Sequence, residues 1–291
     1  MMFKGSITAL VTPFKEGILD HNAYEKFIDF QISNGTHGLV PCGTTGESPT
    51  ITNDEHKKLI EIAVKSSGGK VPVIAGTGSN STEEAVEMTK FAEKTTADAA
   101  LIVTPYYNKP TQEGLYQHYK KINDNCGIPI IIYNIPGRSV VDMSVDTMAR
   151  LYELKNIVGV KDATGDLDRA TQQKAKMGDD FIMLSGNDEN VYEFNKRGGV
   201  GCISVSANVA PKLCSEFQNL SNSKKDEEAK NLFDKLMPLH DVMFIESNPV
   251  PAKYSLSLMD MMQEDVRLPL VQAEKSSKEK IESVLKSLSL I

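Results

Sequence analysis

The sequence contains no apolar stretch of about 18 residues, the length that a membrane-spanning helix requires. It also has no basic stripe, because its formal net charge is −7 and its lysines and arginines are dispersed. These absences exclude a membrane span and argue against nucleic acid and membrane surfaces as partners. The first residues lead directly into a predicted strand, so we expect no signal or transit peptide and a cytoplasmic protein.

The cysteines and histidines form no recognisable metal or disulfide motif. The four cysteines lack C-x-x-C spacing and lie mostly in apolar surroundings. We therefore expect free, buried thiols in a reducing compartment. The five histidines form no H-x-H or H-x-x-x-H pair, so the sequence gives no support for a metal site.

Eight short apolar runs alternate with segments of helical pattern, at residues 7–11, 38–41, 71–75, 99–103, 128–133, 157–160, 181–184 and 200–205. Several runs are apolar throughout, as expected for parallel strands that are covered on both faces. Eight strand–helix alternations predict an α/β fold, and eight strands close a (β/α)8 TIM barrel. An open doubly wound sheet is the alternative, but no G-x-G-x-x-G turn follows the first run.

Residues that start helices follow three of the runs. Asp20 can cap one helix, and Thr52 with Glu55 and Ser81 with Glu84 both fit a capping box. After about residue 207 the strand signals stop, and three helices are predicted at 224–237, 251–262 and 272–288, with prolines between them. We therefore expect a barrel core at residues 1–206 and C-terminal helices packed on it at residues 207–291.

The active site of a TIM barrel lies at the carboxyl ends of its strands, so the residues there deserve inspection. Hydroxyl, phenol, guanidinium and ammonium groups are concentrated at these ends. The residues concerned are Thr44, Thr45, Tyr106, Tyr107, Tyr133, Arg138 and Lys161, together with Gly186 and Ile203.

Lys161 closes an otherwise apolar run, where an unpaired ammonium would be expensive to bury. A lysine that gives up its proton becomes a nucleophile toward carbonyl carbon. Strand alternation places Lys161 on one face with Gly159 and Ile157, so Gly159 would leave space for the lysine stem. Tyr133 has the matching phase on the neighbouring strand, and its phenol could shuttle protons for the amine.

Each of these residues also has a structural explanation when it is taken alone. Lys161 could extend its ammonium to solvent, and Arg138 could be a solvated loop charge rather than a carboxylate clamp. Thr44 and Thr45 could bond their own glycine-bounded turn instead of a small carboxylate. The tyrosines could be surface, interface or packed aromatic residues, and Gly186 and Ile203 a turn residue and a core residue.

Taken together, the motifs resemble the dihydrodipicolinate synthase family of the class I, pyruvate-dependent aldolase and lyase superfamily. The resemblance covers nearly the whole chain and rests on GTTGE at residues 43–47 and YNIPGR at 133–138, with Lys161 following in register. An arginine after the Pro-Gly turn is more typical of the synthases than of lyases for sialic acid or keto-sugar acids.

The resemblance implies that Lys161 forms a Schiff base with pyruvate. It also implies a proton relay of Tyr133, Thr44 and Tyr107, in which Tyr107 enters from the adjacent subunit of a tight dimer. Thr45 would bind the pyruvate carboxylate. The similar enzymes are usually dimers of dimers, so a homotetramer is expected.

For the second substrate, the resemblance implies that Arg138 holds the carboxylate of L-aspartate 4-semialdehyde. The backbones of Gly186 and Ile203 would line the pyruvate pocket. The expected product is 4-hydroxy-tetrahydrodipicolinate, on the route to diaminopimelate and lysine. An iminium group is an electron sink in itself, so no metal or organic cofactor is expected.

Some members of the family are inhibited by lysine at a dimer interface. The matching positions here are Ser48, His56, Asn80, Glu84 and Tyr106. Pro49 and Asn53 differ from the residues familiar in lysine-sensitive members. Structural roles compete at two positions, since Glu84 could close its capping box and His56 lies at the start of a helix that we expect to be exposed.

Two other functions remain open from the sequence. A sister lyase would release pyruvate from a keto-deoxy sugar acid or N-acetylneuraminate and would ignore aspartate semialdehyde. A non-catalytic, pyruvate-binding protein on the same barrel would keep its cellular role when Lys161 is replaced by alanine.

Overall fold

The computed structural model describes residues 2–291. Its centre is a sheet of eight parallel strands. In chain order they are β1 (Gly5–Ala9), β2 (Gly38–Val40), β3 (Ile74–Gly76), β4 (Ala99–Val103), β5 (Ile130–Asn134), β6 (Ile157–Asp162), β7 (Ile182–Ser185) and β8 (Gly201–Ser204). The order of neighbours is β2-β1-β8-β7-β6-β5-β4-β3, so each strand lies beside the next one along the chain, as in a barrel.

The two ends of this order meet and close the sheet. Leu39 of β2 pairs in parallel with Val73, just before β3. The N–H of Leu39 donates to the carbonyl of Pro72 at 2.9 Å, and the N–H of Gly76 donates to that of Pro41 at 2.9 Å. The closed ring confirms the predicted barrel and excludes the open sheet.

Twelve helices occur in the described part of the chain. They are α1 (His21–Ser33), α2 (Asn53–Ser67), α3 (Thr82–Lys94), α4 (Gln112–Asn123), α5 (Pro136–Ser139), α6 (Val145–Tyr152), α7 (Leu167–Met177), α8 (Val191–Lys196), α9 (Pro211–Asn222), α10 (Asp226–Val242), α11 (Val250–Leu258) and α12 (Lys275–Ser287). None of the helices within residues 2–291 is both long and apolar enough to cross a membrane. A small antiparallel hairpin that the sequence did not predict, Phe14–Lys15 with Ile18–Leu19, precedes α1.

Alternate residues of the strands form two separate apolar clusters. The inner cluster fills the barrel and consists of Phe3, Ile7, Ala9, Val40, Ile74, Ala99, Leu101, Ile131, Tyr133, Ile182, Leu184 and Ile203. The outer cluster joins the opposite faces of the strands to the helices and extends into the C-terminal region. Because both faces are covered, the strands are apolar throughout, as the sequence indicated.

A β-bulge interrupts this alternation in the strand that carries Lys161. The register between β5 and β6 skips Val158. As a result Ile157 belongs to the outer cluster, while Val158 packs against the inner one. The prediction that Ile157, Gly159 and Lys161 share a face is therefore wrong at Ile157, because an extra residue inverts the order of faces.

The predicted helix starts are present, with one correction. Thr52 and Glu55 form a complete capping box at α2. Ser81 accepts a hydrogen bond from the N–H of Glu84, at 3.4 Å. The carboxylate of Glu84, however, accepts from the hydroxyl of Ser79 at 2.7 Å instead of closing the box, so the second half of that prediction is wrong.

The C-terminal region is helical, as predicted, but its bounds differ. The sequence missed α9, which packs against β1 in the place of the eighth barrel helix. Helix α10 continues through Pro238, which was expected to end it. Burial of Leu236 and Leu239 on either side of this proline stabilises the helix through tertiary packing, which outweighs local propensity. The boundary at residue 206 stays a prediction.

All four cysteines are free. Cys42, Cys202 and Cys214 are buried, and burial raises the pKa of each of these thiols. Cys126 is only half-buried, with its pKa raised to about 11 mainly by desolvation. The prediction of buried thiols is therefore confirmed at three positions and wrong at Cys126.

Candidate active site

A cavity of about 630 Å³ opens at the carboxyl ends of the strands. Six of the predicted site residues line it together, namely Thr44, Thr45, Tyr133, Arg138, Lys161 and Gly186. They come from the ends of β2, β5, β6 and β7. The fold thus brings residues as far apart in sequence as Thr44 and Gly186, more than 140 positions, to one cavity. Other lining residues include Asn187, Glu189, His240, Asp241, Phe244 and Asn248.

Lys161 and Tyr133 are direct register partners on neighbouring strands. The lysine lies inside β6, is 6% exposed, and its Nζ is 4.1 Å from the centre of the Tyr133 ring. A largely buried amine beside a phenol ring can exchange protons with a bound carbonyl compound through the phenol hydroxyl group. This arrangement suits imine chemistry.

Gly186 gives the lysine stem its space. A Cβ at position 186 would lie 3.1 Å from Cε of Lys161 and 2.6 Å from Cβ of Ala163. The sequence assigned this role to Gly159, where a Cβ would instead lie 2.2 Å from the carbonyl oxygen of Ile182. That assignment is wrong, because Gly159 allows close packing of β6 against β7 rather than room for the lysine.

The turn that carries Thr44 and Thr45 is held by backbone hydrogen bonds. The N–H of Gly46 donates to the carbonyl of Gly43 at 3.0 Å, and the hydroxyl of Thr12 donates to the carbonyl of Gly46 at 2.7 Å. Thr45 is buried and its hydroxyl accepts a hydrogen bond from the amide of Asn248 at 3.0 Å. Because the Thr45 oxygen is occupied as an acceptor, its own proton is available to a ligand.

Glu47 follows this turn and is buried in an ion pair. Its Oε1 lies 2.7 Å from Nζ of Lys253, and its Oε2 accepts from the backbone N–H of Arg267 at 3.0 Å. Burial lowers the pKa of Lys253, while the Glu47 carboxylate acts in the opposite direction. The Arg267 guanidinium binds Glu55 at 2.6 Å and, by this hydrogen bond, lowers the pKa of that carboxyl to about 2.

Arg138 lies on the short helix α5, at the mouth of the cavity, and is exposed. The hydroxyl of Ser139 donates to the carbonyls of Ile135 and Val141, both at 2.9 Å, and so shapes this segment. The guanidinium is therefore carried on an ordered backbone while its head remains free to meet a ligand.

Behind the cavity, a buried polar network joins the segment after β5 to the end of β6. Asp162 accepts hydrogen bonds from Nε of Arg169 at 3.2 Å and from the amide of Gln173 at 2.6 Å. Arg169 also donates to the carbonyl of Met143 at 2.7 Å, and Asn134 donates to Asp142 at 2.7 Å. The residues next to Lys161 and Tyr133 in the chain thus fix the two strand ends relative to each other.

A second buried carboxylate orders the ends of β7 and β8. Asp188 accepts from the backbone N–H groups of Val205 and Ser206 at 2.8 and 3.0 Å. Nδ1 of His240, which lines the cavity, is 2.7 Å from the Ser206 hydroxyl, and burial lowers the pKa of this histidine. His240 and Asn248 were not predicted, because neither follows a strand of the barrel. Asp188 does follow β7, but nothing in the sequence distinguishes it there from a turn residue.

Two predicted site residues do not line the cavity. Ile203 is buried in the inner cluster, with an exposure of 1%, so it contributes no side chain to the site. Tyr107 is 92% exposed and has a positive φ of 51°, outside the cavity of its own chain. Its predicted role requires a second subunit.

The five residues of the expected inhibitor site do not line the cavity either. Tyr106 and Asn80 are in contact, since the Tyr106 N–H donates to Oδ1 of Asn80 at 2.8 Å. His56 is half-buried rather than exposed, because its Nε2 donates to the last carbonyl of β3 at 2.7 Å. Glu84 is engaged in the first turn of α3, and Ser48 begins a short 3-10 turn.

Comparison with known proteins identifies the family. Residues 2–288 match the profile of the dihydrodipicolinate synthetase family. The chain belongs to this family. It is 66% identical over 293 residues to the 4-hydroxy-tetrahydrodipicolinate synthase of Pelagibacter ubique, covering 100% of both chains. The synthase of Bradyrhizobium diazoefficiens is 58% identical, over 99% of this chain and 98% of its own.

Solved structures of the dihydrodipicolinate synthetase family superpose over the whole chain. The enzyme of Thermotoga maritima has a TM-score of 0.98 at 44% identity and 100% coverage of both chains. The Acinetobacter baumannii enzyme, solved in complex with pyruvate, has a TM-score of 0.97 at 45% identity and 99% coverage of both. The enzyme of Cyanidioschyzon merolae, solved with lysine bound, has a TM-score of 0.97 at 35% identity, over 100% of this chain and 99% of its own. These findings confirm the family and the lyase class that the sequence predicts.

Proposed function

We propose that this chain condenses pyruvate with L-aspartate 4-semialdehyde to give 4-hydroxy-tetrahydrodipicolinate. The observation that carries this proposal is the contact between a largely buried lysine, Lys161, and the Tyr133 phenol ring. Both residues line a cavity that is also lined by Thr45 and Arg138. A nucleophilic amine, a proton carrier and two groups suited to carboxylates are what a condensation of two acids needs.

In the first half of the reaction, the neutral amine of Lys161 attacks the keto carbon of pyruvate. The carbinolamine loses water to form an imine, and loss of a methyl proton then gives the enamine. Tyr133 and Thr44 line the same cavity and are the groups that carry these protons. The Thr45 hydroxyl oxygen already accepts a hydrogen bond from Asn248. Its O–H group donates a hydrogen bond to the pyruvate carboxylate.

In the second half, the enamine carbon attacks the aldehyde carbon of the semialdehyde. The amino group of that substrate then attacks the imine carbon, which closes the ring and releases Lys161. Arg138 at the mouth of the cavity holds the carboxylate of the semialdehyde during these steps. Gly186 lines the pocket beside the lysine stem. A contribution from the Ile203 backbone, which lies in β8, stays a prediction.

We infer that Tyr107 completes the proton relay of a neighbouring subunit within a tetramer built from two dimers. Tyr107 is 92% exposed on a backbone of positive φ, and it lies beside the partly exposed Tyr106. Two neighbouring exposed aromatic side chains support the inference that this surface is buried against a second copy of the chain. The free thiols are in keeping with a reducing, cytoplasmic compartment.

We propose that lysine binds at the same interface, close to the contact between Asn80 and Tyr106. The enzyme of Cyanidioschyzon merolae was solved with lysine bound, which supports testing this ligand. Calorimetry with L-lysine should give a saturable heat that is lost in Tyr106→Ala, and no heat at millimolar lysine would contradict the proposal.

The function is tested by offering the enzyme its possible substrates one at a time. Semialdehyde consumption should require pyruvate and produce the heterocycle in a coupled reductase assay. N-acetylneuraminate and keto-deoxy sugar acids should release no pyruvate. Pyruvate release from a sugar acid, without semialdehyde consumption, would favour the sister lyases instead.

A further inference from the structure

Helix α11 contacts the turn that carries Thr44 and Thr45 from the far end of the chain. Lys253 of this helix pairs with Glu47 at 2.7 Å, across 206 residues of sequence. Asn248, just before the helix, donates to the Thr45 hydroxyl at 3.0 Å, across 203 residues. The C-terminal region therefore contacts this segment at two points, the cavity residue Thr45 and Glu47, which follows the turn.

The burial of the ion pair is hard to explain as a source of stability. The side chains of Lys253 and Glu47 are 0% and 1% exposed. Removing two charges from water is costly, and the attraction between them only roughly offsets this cost, so a buried ion pair contributes little to stability. Nζ of Lys253 also lies 4.3 Å from the centre of the Phe14 ring, which fixes its direction.

The backbone of Glu47 shows what the pair holds in place. Glu47 has φ 56° and ψ 35°, the left-handed region that residues with a Cβ seldom adopt. Cys42, just before the turn, also has a positive φ of 57°. Both carboxylate oxygens of Glu47 are anchored, one by Lys253 and one by the backbone N–H of Arg267.

We propose that Lys253 is a positioning residue for the cavity, acting through Glu47 to fix the turn of Thr44 and Thr45. This inference rests on the proposed function, since it assigns to the turn the binding of the keto-acid carboxylate. The C-terminal region is then part of the catalytic apparatus, because keto-acid affinity depends on a contact that it supplies.

The test uses the pair of substitutions E47Q/K253M in the full-length protein. Removing both charges avoids an unpaired buried ion, so the variant is expected to fold with a melting temperature near that of the wild type. Displacement of the turn should raise the pyruvate concentration that half-saturates borohydride trapping at least about tenfold, since small misplacements of binding groups are costly. The maximal extent of trapping should be retained, because Lys161 is untouched.

The C-terminal region offers a matched control in K278M/E264Q. Lys278 pairs with Glu264 at 2.7 Å and lies over the Tyr254 ring, so it has the same chemistry as Lys253 away from the turn. This variant should keep the wild-type half-saturation for pyruvate. An E47Q/K253M enzyme with wild-type half-saturation would overturn the proposal, as would an equal rise in both variants.

A milder variant and a second readout keep the proposal testable if E47Q/K253M does not fold. E47D alone keeps both charges of the pair but shortens the carboxylate side chain by one methylene, and should raise the half-saturating pyruvate about threefold. Hydrogen exchange at the amides of Gly46 and Glu47 should accelerate in both Glu47 variants but not in the control. Hydrogen exchange needs no substrate, so the two failures can be distinguished. Absence of pyruvate trapping in the wild type would contradict the proposed function. Unchanged hydrogen exchange in the Glu47 variants would contradict the positioning role of Lys253.

Discussion

Lys161 and Tyr133 pair across β5 and β6 so that the amine lies 4.1 Å from the centre of the phenol ring. Parallel register makes this contact rigid, because neither side chain depends on a loop for its position. The next residue of each strand, Asp162 and Asn134, belongs to the buried network behind the cavity. The reactive pair is thus supported on its strands and from behind.

Replacing Tyr133 with phenylalanine should leave the ring over the lysine and remove only the proton carrier. We expect the turnover number to fall by about 10²- to 10⁴-fold, the range for losing a general acid–base group. Rapid-mixing kinetics should locate the loss in imine formation, with the fold intact by circular dichroism. Tyr152→Phe is the control, since that ring packs against Phe181 at 5.0 Å and does not line the cavity. Equal effects of both substitutions would contradict the relay.

Replacing Arg138 with alanine should affect one substrate only. A charge-assisted hydrogen bond contributes about 1.5–3 kcal/mol, so KM for the semialdehyde should rise by about 10- to 100-fold. The pyruvate concentration that half-saturates trapping should be unchanged. Arg150→Ala removes an exposed arginine that pairs with Glu113 outside the cavity, and should be silent. A selective loss of pyruvate affinity in the Arg138 variant would contradict the assignment.

Much of this site follows from local sequence, and the remainder depends on distant contacts. The apolar runs predict the strands because both of their faces are covered, and a lysine at the end of such a run is conspicuous. The bulge at Val158 leaves no local signal, so strict alternation predicts the wrong face for Ile157 and Val158. The contact of Lys253 with Glu47 joins residues 206 positions apart, and no spacing pattern reveals it.

Arg169 should matter for stability more than for chemistry. It is 8% exposed and bonds Asp162, which is 4% exposed. Arg169→Met would leave a buried carboxylate unpaired, and we expect the free energy of unfolding to fall by about 3–5 kcal/mol. Urea denaturation measures this loss. Arg197→Met, which removes an exposed pair with Glu193, should cost less than about 1 kcal/mol. Comparable losses in the two variants would show that the network is not anchored at Arg169.

The stability of the fold should decline in mild acid because histidines are buried as neutral groups. Burial lowers the pKa of His118 to about 4, below its ordinary value of 6.5. Between these values the unfolded chain binds a proton that the folded chain does not, so stability is fully present above pH 6.5 and falls as the pH drops toward 4. From pH 6.5 to pH 5 the loss due to this group is about 1.5 kcal/mol.

His118→Gln should therefore lose less stability than the wild type between pH 7 and pH 5, by about 2 kcal/mol in urea titrations. His21→Gln is the matched control, because it replaces an exposed histidine. If the stability of the His118 variant falls with pH as steeply as that of the wild type, groups other than His118 cause the loss of stability in acid.

Borohydride reduction in the presence of pyruvate, followed by mass mapping of the peptides, tests the central claim most directly. Hydride should fix pyruvate as a stable secondary amine on the peptide that contains Lys161. The same treatment of Lys161→Ala should leave every peptide unmodified, while Lys155→Ala, at an exposed lysine before β6, should label as the wild type does. An unmodified Lys161 in the wild type, or a label on another lysine, would contradict the Schiff-base account.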